Sequence, residues 1–233
     1  MRIAFLTQLF DPEPTAKGLE FARALRERGH DVEVVTGFPN YPGGKVYDGY
    51  AISPLKREIM EGVPVTRLAI YPSHDRSALR RILCYGSFMV SSWLYLTLWA
   101  RRFDVVYVYY PSLTAGLAAI AMKLFRRARI IVDIQDMWPD SLRSTGMVGN
   151  ERVLSYIDRV SRFMYRHVDH VMVLSPGFER LLVERGVPPE KISVHYNWTH
   201  ESPDEGTDPT PPGFETGDRF RVLFDGNIGA AQG

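Results

Sequence analysis

Short apolar runs alternate with amphipathic segments along most of the chain. Runs typical of buried strands cover residues 2–7, 32–36, 63–70, 105–110, 130–134, 171–174 and 192–196. Apolar residues at helical spacing predict helices over 113–125, 151–167 and 176–185, and a first helix through Leu19 and Leu25 that ends at Gly29. Because strands and helices alternate, the pattern predicts a doubly wound, Rossmann-like α/β domain with a parallel sheet covered on both faces.

This pattern extends over residues 1–198 and then changes. Residues 199–218 are rich in Glu, Asp, Pro, Gly and Thr and contain almost no large apolar side chain, which is typical of a linker. A strand-like run, Phe220 to Phe224, then leads into a glycine turn. One strand and one turn cannot form a domain. We therefore expect residues 219–233 to begin a second domain, and the chain to be the truncated first half of a two-domain protein.

One apolar stretch is long enough to raise the question of a membrane. Ile82 to Ala100 is 19 residues without a charge, bracketed by Arg80-Arg81 and Arg101-Arg102. A full crossing would separate two strands that are expected to share one sheet. Two interpretations stay open: a crossover helix packed on the sheet, or the same helix with an apolar face on a membrane, where arginines favour anionic headgroups.

Composition narrows the classes of function. Hydrophobic residues make up 45% of the 233 and charged residues 24%, which is typical of a globular protein. The formal charge of +1 gives no reason to expect nucleic acid as a partner. The single cysteine, Cys84, fits a reducing compartment, and the N-terminus lacks the pattern of a signal peptide. We therefore expect a cytoplasmic protein.

Three loops at the carboxyl ends of predicted strands carry the candidate chemistry, because ligands of open α/β sheets bind there. The first loop runs from Phe10 to Gly18, between the strand at 2–7 and the first helix. Thr15 is predicted to cap that helix, whose free N–H groups would then suit an anion. This loop has only one glycine, Gly18, and no GxGxxG fingerprint, which disfavours a dinucleotide enzyme. Plain loop chemistry is the alternative interpretation.

The second loop follows residues 32–36 and reads Gly37-Phe38-Pro39-Asn40-Tyr41-Pro42-Gly43-Gly44. A dinucleotide enzyme would place a ribose-binding acid here. Aromatic rings beside an amide and open backbone suit the apolar faces and hydroxyls of a sugar or a lipid-linked sugar instead. A rigid turn without a ligand is the alternative.

The third loop is "DIQDMWPD", residues 133–140, where an apolar strand ends in polar chemistry. Asp133 lies within the strand, Gln135 and Asp136 lie at its mouth, and Trp138-Pro139 turns the chain. We expect one aspartate to be structural and Gln135 or Asp136 to reach a ligand. The histidines do not form a metal site, since His167 and His170 flank a helix end without a third ligand.

Together these pieces resemble the N-terminal domain of the family 4 glycosyltransferases of the GT-B fold, in the branch that builds bacterial O-antigen, capsule and exopolysaccharide. The resemblance rests on the stretches "LEFARALRERGHDVEVVTGFPNYPGG", "VVYVYYPSLTAG", "IIVDIQDMWPDSL", "VMVLSPGFERLLVERGVPPEKISVHYNW" and "FDGNIGAAQG". It implies a retaining, metal-independent, cofactor-free hexosyl or N-acetylhexosaminyl transfer from a UDP- or GDP-linked sugar. The implied acceptor is a polyprenyl-diphosphate-linked sugar or glycan at the inner face of the cytoplasmic membrane, met through Ile82 to Ala100.

The resemblance also implies residue roles. Gln135 falls where many relatives carry a histidine, so it would position the reacting sugar without acting as a base, and Asp136 would be a polar contact. The implied donor-binding residues are Thr15, Lys17, Gly18, Gly226, Asn227 and Gly229. The implied acceptor-binding residues are Asn40, Tyr41, Pro42, Gly43 and Trp138. Since most of the donor domain is missing, the fragment alone is expected to be inactive.

Two other functions remain open at this stage. A Rossmann oxidoreductase or nucleotide-sugar epimerase is disfavoured by the absent glycine fingerprint, and tight NAD binding would revive it. A non-catalytic acceptor-binding or membrane-associated module is also consistent with the sequence.

Overall fold

The computed structural model describes residues 1–73, 78–109, 113–146 and 148–198. The strands are β1 (Arg2–Thr7), β2 (Asp31–Gly37), β3 (Leu55–Met60), β4 (Val63–Leu68), β5 (Val105–Tyr109), β6 (Arg129–Ile134), β7 (His170–Val173) and β8 (Ile192–Val194). The helices are α1 (Leu19–Glu27), α2 (Ala78–Leu94), α3 (Leu113–Lys123), α4 (Asp140–Ser144), α5 (Glu151–His167) and α6 (Pro176–Glu184). A π-helical turn, Tyr95–Trp99, continues α2, and a 3₁₀ turn, Pro189–Lys191, precedes β8.

These strands form one eight-stranded sheet within the described residues, in the order β3-β4-β2-β1-β5-β6-β7-β8. All neighbours pair in parallel except β3 and β4. The predicted doubly wound α/β class is therefore confirmed. The predicted linker at residues 199–218 and the second domain at 219–233 lie outside the described residues, as do Gly226, Asn227 and Gly229.

The sequence pattern missed the edge strand β3. Its residues alternate between exposed and half-buried positions and include three charges, so no apolar run marks it. A two-residue turn joins it to β4, and both turn residues have positive φ, 46° at Glu61 and 82° at Gly62. That backbone is the type I′ geometry that favours tight antiparallel hairpins. The antiparallel strand therefore closes one edge of an otherwise parallel sheet.

Two apolar cores lie on opposite faces of the sheet. On one face, α1 packs Ala22, Phe21 and Leu25 against β-strand residues such as Phe5 and Val34. The other core takes residues from α2, α3, α5 and α6, among them Phe88, Ala119, Met164 and Leu182. Both faces of the parallel strands are consequently covered by helices.

Helix α2 is only partly buried by this packing. The segment Arg80–Trp99 is long and apolar enough to cross a membrane, by length and composition alone, and only 28% of its apolar stretch is buried. However, β4 pairs with β2 and β5 pairs with β1 in the same sheet. A crossing would place these strands on opposite sides of a bilayer, so the helix is a crossover packed on the sheet. Its outward side chains, including Ile82, Val90 and Trp99, are exposed.

Candidate active site

The predicted site residues that the structure describes lie at one edge of the sheet, where the seven parallel strands end. The chain order reverses between β1 and β5, because β2 and β4 lie on one side of β1 and β6 to β8 lie on the other. A crevice at such a reversal is the usual ligand site of an open α/β sheet. Loops after β1, β2 and β6 line it, together with residues 195–198 after β8.

A buried ion pair forms the base of the crevice. The Lys17 ammonium contacts the Asp133 carboxylate, and both residues are only 1% exposed. The same carboxylate oxygen accepts a hydrogen bond from the Tyr107 hydroxyl. Burial and the nearby Asp133 charge raise the pKa of Tyr107 above its usual value, so the phenol stays protonated and donates. The predicted donor-binding Lys17 thus has its charge balanced inside the protein.

Aromatic rings enclose this ion pair. The Lys17 ammonium lies 5.7 Å from the ring centroid of Tyr109 and 5.5 Å from that of Trp198. The Phe21 ring packs 5.3 Å from the Tyr107 ring and 5.8 Å from the Trp198 ring. Such rings attract the cation and exclude water from the ion pair. The base of the crevice is therefore a fixed, desolvated arrangement of one acid, one base and a phenol.

Gln135 extends the network towards solvent. Its Nε2 donates to Asp133 Oδ1 at 2.6 Å, and its Oε1 accepts from Asn197 Nδ2 at 2.9 Å. The amide orientation is consequently fixed from both ends. Asp136 next to it is exposed at the mouth of the crevice, where partial desolvation raises the pKa of its carboxyl above the usual value. The two candidate catalytic residues are thus adjacent in the chain: Gln135 is held by two hydrogen bonds, and Asp136 is exposed to solvent.

The prediction that Thr15 caps helix α1 is wrong. Asp11 Oδ2 accepts a hydrogen bond from the Leu19 backbone N–H at 2.7 Å and fills that position. Thr15 instead makes a side-chain hydrogen bond with Tyr109. Because a protein carboxylate already occupies the helix N-terminus, the anion site expected there is partly satisfied from within.

Gly18 has a steric role in this arrangement. A Cβ at Gly18 would lie 2.2 Å from Asp11 Oδ2 and 2.9 Å from Thr15 Cγ2. The backbone at this position has no room for a side chain while Asp11 caps the helix. The single glycine of the loop is therefore explained by contact with its own loop.

Glu13, which sequence reasoning missed, joins the first two loops. Its Oε1 accepts from the backbone N–H groups of Asn40 at 2.7 Å and Tyr41 at 2.8 Å, and its Oε2 accepts from the Phe10 N–H at 3.2 Å. Burial raises the pKa of the Glu13 carboxyl above its usual value, although these donors oppose the shift. Only the two flanking prolines mark this residue in the sequence.

The second loop presents its predicted acceptor residues unequally. Asn40 is buried, and its side-chain amide donates to the Phe38 carbonyl at 2.9 Å, so it faces the loop interior. Tyr41 is half-buried, while Pro42 and Gly43 are exposed at the rim. The rim formed by residues 41–43 is thus the part of this loop that a ligand meets.

Arg67 is a second anchor that sequence reasoning missed. This fully buried guanidinium donates to the Asp11 carbonyl at 2.6 Å, to the Gly37 carbonyl at 3.3 Å and to Glu58 at 2.5 Å. It therefore ties the loop after β1 to the end of β2 and to the edge strand. No pattern in the sequence marks it, because a charged residue in a strand usually faces solvent.

Trp138 connects the crevice to helix α2. Its ring lies 6.5 Å from the ring of Tyr85 in an edge-to-face arrangement, and its backbone carbonyl accepts from Arg185 Nη1 at 3.0 Å. The predicted acceptor-side tryptophan is thus fixed between the site and the exposed apolar surface of α2.

A family model described as a glycosyl transferase 4-like domain matches residues 18–198. The chain belongs to this family. The matched residues contain β2 to β8 and the crevice loops after β2 and β6, and the resemblance to a family 4, GT-B-type N-terminal domain is confirmed.

A curated relative supports the same family. The Escherichia coli (strain K12) protein WcaI, named for glycosyl transfer in colanic acid biosynthesis, is 29% identical over 238 residues. The match covers 96% of this chain and 58% of that protein. The chain thus spans a little over half the length of this relative.

Solved structures show the same fold at low identity. Sucrose-phosphate synthase from Thermosynechococcus elongatus matches with a TM-score of 0.55 and 13% identity, over 84% of this chain and 47% of that protein. A shorter piece of the same synthase matches with a TM-score of 0.53, over 86% of this chain and 91% of the piece. Both likenesses concern the fold, and the second shows that this glycosyltransferase domain resembles a discrete half of the synthase.

No group of three or more His, Cys, Asp or Glu side chains able to hold a metal ion occurs in the described part of this glycosyltransferase domain. Lys17 and Asp133, at the base of the crevice, are already paired, whereas the Asp136 carboxyl is exposed at its mouth and can accept hydrogen bonds. The described residues can therefore position uncharged parts of a ligand through amide, hydroxyl and aromatic groups.

Proposed function

We propose that the protein is the acceptor-side part of a retaining, metal-independent glycosyltransferase of surface polysaccharide assembly. It would move a hexosyl or N-acetylhexosaminyl group from a UDP- or GDP-linked donor to a polyprenyl-diphosphate-linked sugar or glycan in the cytoplasm, beside the membrane. The observation that carries the proposal is the fixed Asp133–Gln135–Asn197 chain at the crevice of a family 4 domain. The relative named for colanic acid biosynthesis supports the polysaccharide class.

The amide of Gln135 would position the sugar. An amide can donate and accept hydrogen bonds but cannot take a proton at neutral pH, so it suits a reaction in which the protein supplies no base at this position. Its two held contacts reduce the reorganisation needed at the moment of reaction. Asp136, exposed beside it, would accept hydrogen bonds from sugar hydroxyls.

The rim and Trp138 would receive the acceptor. Tyr41, Pro42 and Gly43 offer an aromatic ring, an apolar ring and open backbone. Trp138 contacts Tyr85 of α2, whose outward neighbours Ile82 and Leu83 are 66% and 47% exposed. A lipid carrier lying along this apolar surface would bring its diphosphate sugar to the crevice.

The donor diphosphate would be bound mainly by residues outside the described part, including Gly226, Asn227 and Gly229. Lys17 is committed to Asp133, and Asp11 occupies the N-terminus of α1. We therefore expect the 233-residue chain alone to bind acceptor without transferring sugar.

The test is an assay of the complete gene product with a panel of UDP- and GDP-sugars and a polyprenyl-diphosphate sugar. Gln135→Ala and Asp136→Ala are each expected to lower turnover at least about 10-fold, because each removes one positioning hydrogen bond to a charged or polar transition state. Asp48→Ala, an exposed change in the loop after β2, is the matched control. The anomeric configuration of the product and activity in chelator test retention and metal independence. Full activity of both variants, or transfer only with added metal, would contradict the proposal.

A further inference from the structure

A cavity separate from the crevice lies at the opposite edge of the sheet, where the parallel strands begin. Its volume is about 690 Å³, and it sits where the π-helical turn after α2 and the end of α3 approach the starts of β5 and β6. Four arginines line it: Arg101, Arg102, Arg126 and Arg127. Phe103 and Phe125 supply apolar wall. Neither the family match nor the proposed transfer reaction assigns a role to this cavity.

Two of the arginines are fixed by the protein. Arg126 donates through Nε to the Thr97 carbonyl at 2.8 Å and through Nη1 to the Ala100 carbonyl at 2.9 Å, which satisfies the C-terminus of the helix. Arg101 pairs with Asp31, from Nη2 to Oδ1 at 2.8 Å. These contacts explain both residues structurally, and they fix the walls of the cavity.

The other two arginines have no such explanation. Arg102 and Arg127 are exposed and have no hydrogen bond or ion pair within the described residues. Since guanidinium groups present paired N–H donors that match phosphate oxygens, these two cavity-lining side chains are suited to a phosphate ligand. A solvated surface arginine is common, but two beside a cavity already lined by two more concentrate positive charge.

Large apolar side chains are exposed in the two chain segments that border the cavity; Phe125 lines it, and Trp99 lines a neighbouring cavity. Leu98 is 59% exposed and Trp99 63%, while Leu124 is 81% and Phe125 66% exposed. A soluble surface gains nothing from four such neighbours in two adjacent chain segments. Arginines interleaved with exposed tryptophan, phenylalanine and leucine are the pattern of a surface that enters the headgroup region of a bilayer.

We propose that this cavity binds the phosphate headgroup of an anionic phospholipid, with Arg102 and Arg127 as its ligands and the four apolar side chains inserted beside it. This proposal rests on the proposed function and adds a specific contact with an anionic lipid headgroup to it. From Tyr85 near the crevice to Trp99 near the cavity, the helix rises about 20 Å. Contacts at both ends of α2 would lay the helix along the bilayer and hold the crevice beside the lipid carrier.

Vesicle flotation of the 233-residue chain tests the proposal. Vesicles of neutral phosphatidylcholine are compared with vesicles that contain phosphatidylglycerol as the anionic lipid. We expect binding to the anionic vesicles, and we expect Arg102→Gln/Arg127→Gln to weaken it roughly 10- to 30-fold. Arg23→Gln/Arg28→Gln removes the same charge from α1 and from the residue that follows it, on the other sheet face. This variant is expected to leave binding unchanged. Equal binding of both vesicle types, or equal loss in both double variants, would overturn the proposal.

The double lysine variant, Arg102→Lys/Arg127→Lys, separates a headgroup site from diffuse attraction. It keeps the charge and loses the paired N–H geometry, so a headgroup site predicts a loss of several-fold and diffuse attraction predicts none. Inorganic phosphate that binds these arginines while vesicles do not would assign the cavity to a free anion and refute the lipid. Urea unfolding checks that all variants fold. Turnover on a detergent-solubilised acceptor is a separate readout, so a failed transferase assay would not be mistaken for failed vesicle binding.

Discussion

The ion pair at the sheet edge formed by the carboxyl ends of the parallel strands is buried, whereas the one at the edge formed by their amino ends is exposed. At the crevice edge, Lys17 and Asp133 form an ion pair whose side chains are 2% and 1% exposed. At the opposite edge, Arg101 and Asp31 form a pair whose side chains are 38% and 49% exposed. Burial makes the first pair rigid and costly to break, whereas water and salt screen the second. The comparison teaches that charged groups at one edge are fixed in the protein interior, whereas those at the other edge stay accessible to solvent.

This difference is the one expected if the crevice edge transfers sugar and the other edge meets a membrane, as proposed above. A transferase crevice has to keep its hydrogen-bonding groups oriented before the ligand arrives, and low exposure strengthens each polar contact there. A surface that meets a fluid bilayer gains more from exposed arginines that can follow moving phosphates. Glu13 and Arg67 belong to the first kind, and Arg102 and Arg127 belong to the second.

The largest expected effect comes from breaking the buried pair. Asp133→Ala leaves the Lys17 ammonium buried without its counter-charge, which is expected to lower the free energy of unfolding by about 3–5 kcal/mol. Asp31→Ala, which breaks the exposed pair at the other edge, is expected to cost only about 0–1 kcal/mol. Chemical denaturation of both variants measures the difference directly.

A double replacement identifies the cause of the loss. Lys17→Met/Asp133→Asn removes both charges, so it is expected to be less destabilised than Asp133→Ala alone. If Asp133→Ala and Asp31→Ala cost the same, the two edges do not differ in the way that their burial indicates.

Glu13 supplies the next effect, because it holds the two ligand-facing loops together. Glu13→Ala leaves three backbone N–H groups without their acceptor and is expected to cost about 3 kcal/mol. Hydrogen exchange should show faster exchange at Asn40 and Tyr41, while amides at the opposite edge stay unchanged. Uniform loosening over both edges would contradict a local role.

The difference in stability between the wild-type protein and a Glu13→Gln variant should depend on pH in a definite direction, because the Glu13 carboxyl titrates and glutamine does not. The folded-state pKa of Glu13 is raised above its ordinary value of 4.5, so the folded protein holds this proton more tightly than the unfolded chain. The stabilisation from this group is therefore complete below about pH 4.5 and is lost as pH rises through the folded pKa. The cost of Glu13→Gln should shrink from acid to neutral pH, and a cost that grows with pH would exclude burial as the dominant cause.

Much of this fold could be predicted because local patterns carry it. The seven parallel strands lie within two residues of the apolar runs, and α5 begins and ends at the predicted residues. Strand β3 could not be found in that way, because "LKREIM" has three consecutive charged residues in the middle of an edge strand. Its only local signal is the Glu61-Gly62 turn, whose positive φ angles give the hairpin.

The candidate site was predictable in place and less so in detail. A strand that ends in polar residues marks Gln135 and Asp136, since ligands gather at those strand ends. The partner of Asp133 lies 116 residues away in the sequence, and Asn197 lies 62 residues from Gln135. Pairings over such separations depend on the strand order, which the alternation of elements does not determine. The Asp11 cap was missed for a different reason: Asp11 lies only eight residues before Leu19, and the loop offers both Asp11 and Thr15 as residue types that accept from a helix N-terminus.

The smallest expected effect on stability distinguishes Gly18, in the crowded crevice, from Gly86, on the open outer surface of α2. Gly18→Ala places a Cβ 2.2 Å from Asp11 Oδ2, so the cap must move, and we expect a loss of about 1–2 kcal/mol. Gly86→Ala in α2 meets no atom within 4 Å and is expected to stabilise the helix by about 0.5–1 kcal/mol. Thermal unfolding compares the two. Opposite signs would show that the glycine of the first loop is retained for packing, whereas a stabilised Gly18→Ala would mean that Asp11 does not cap α1 in solution.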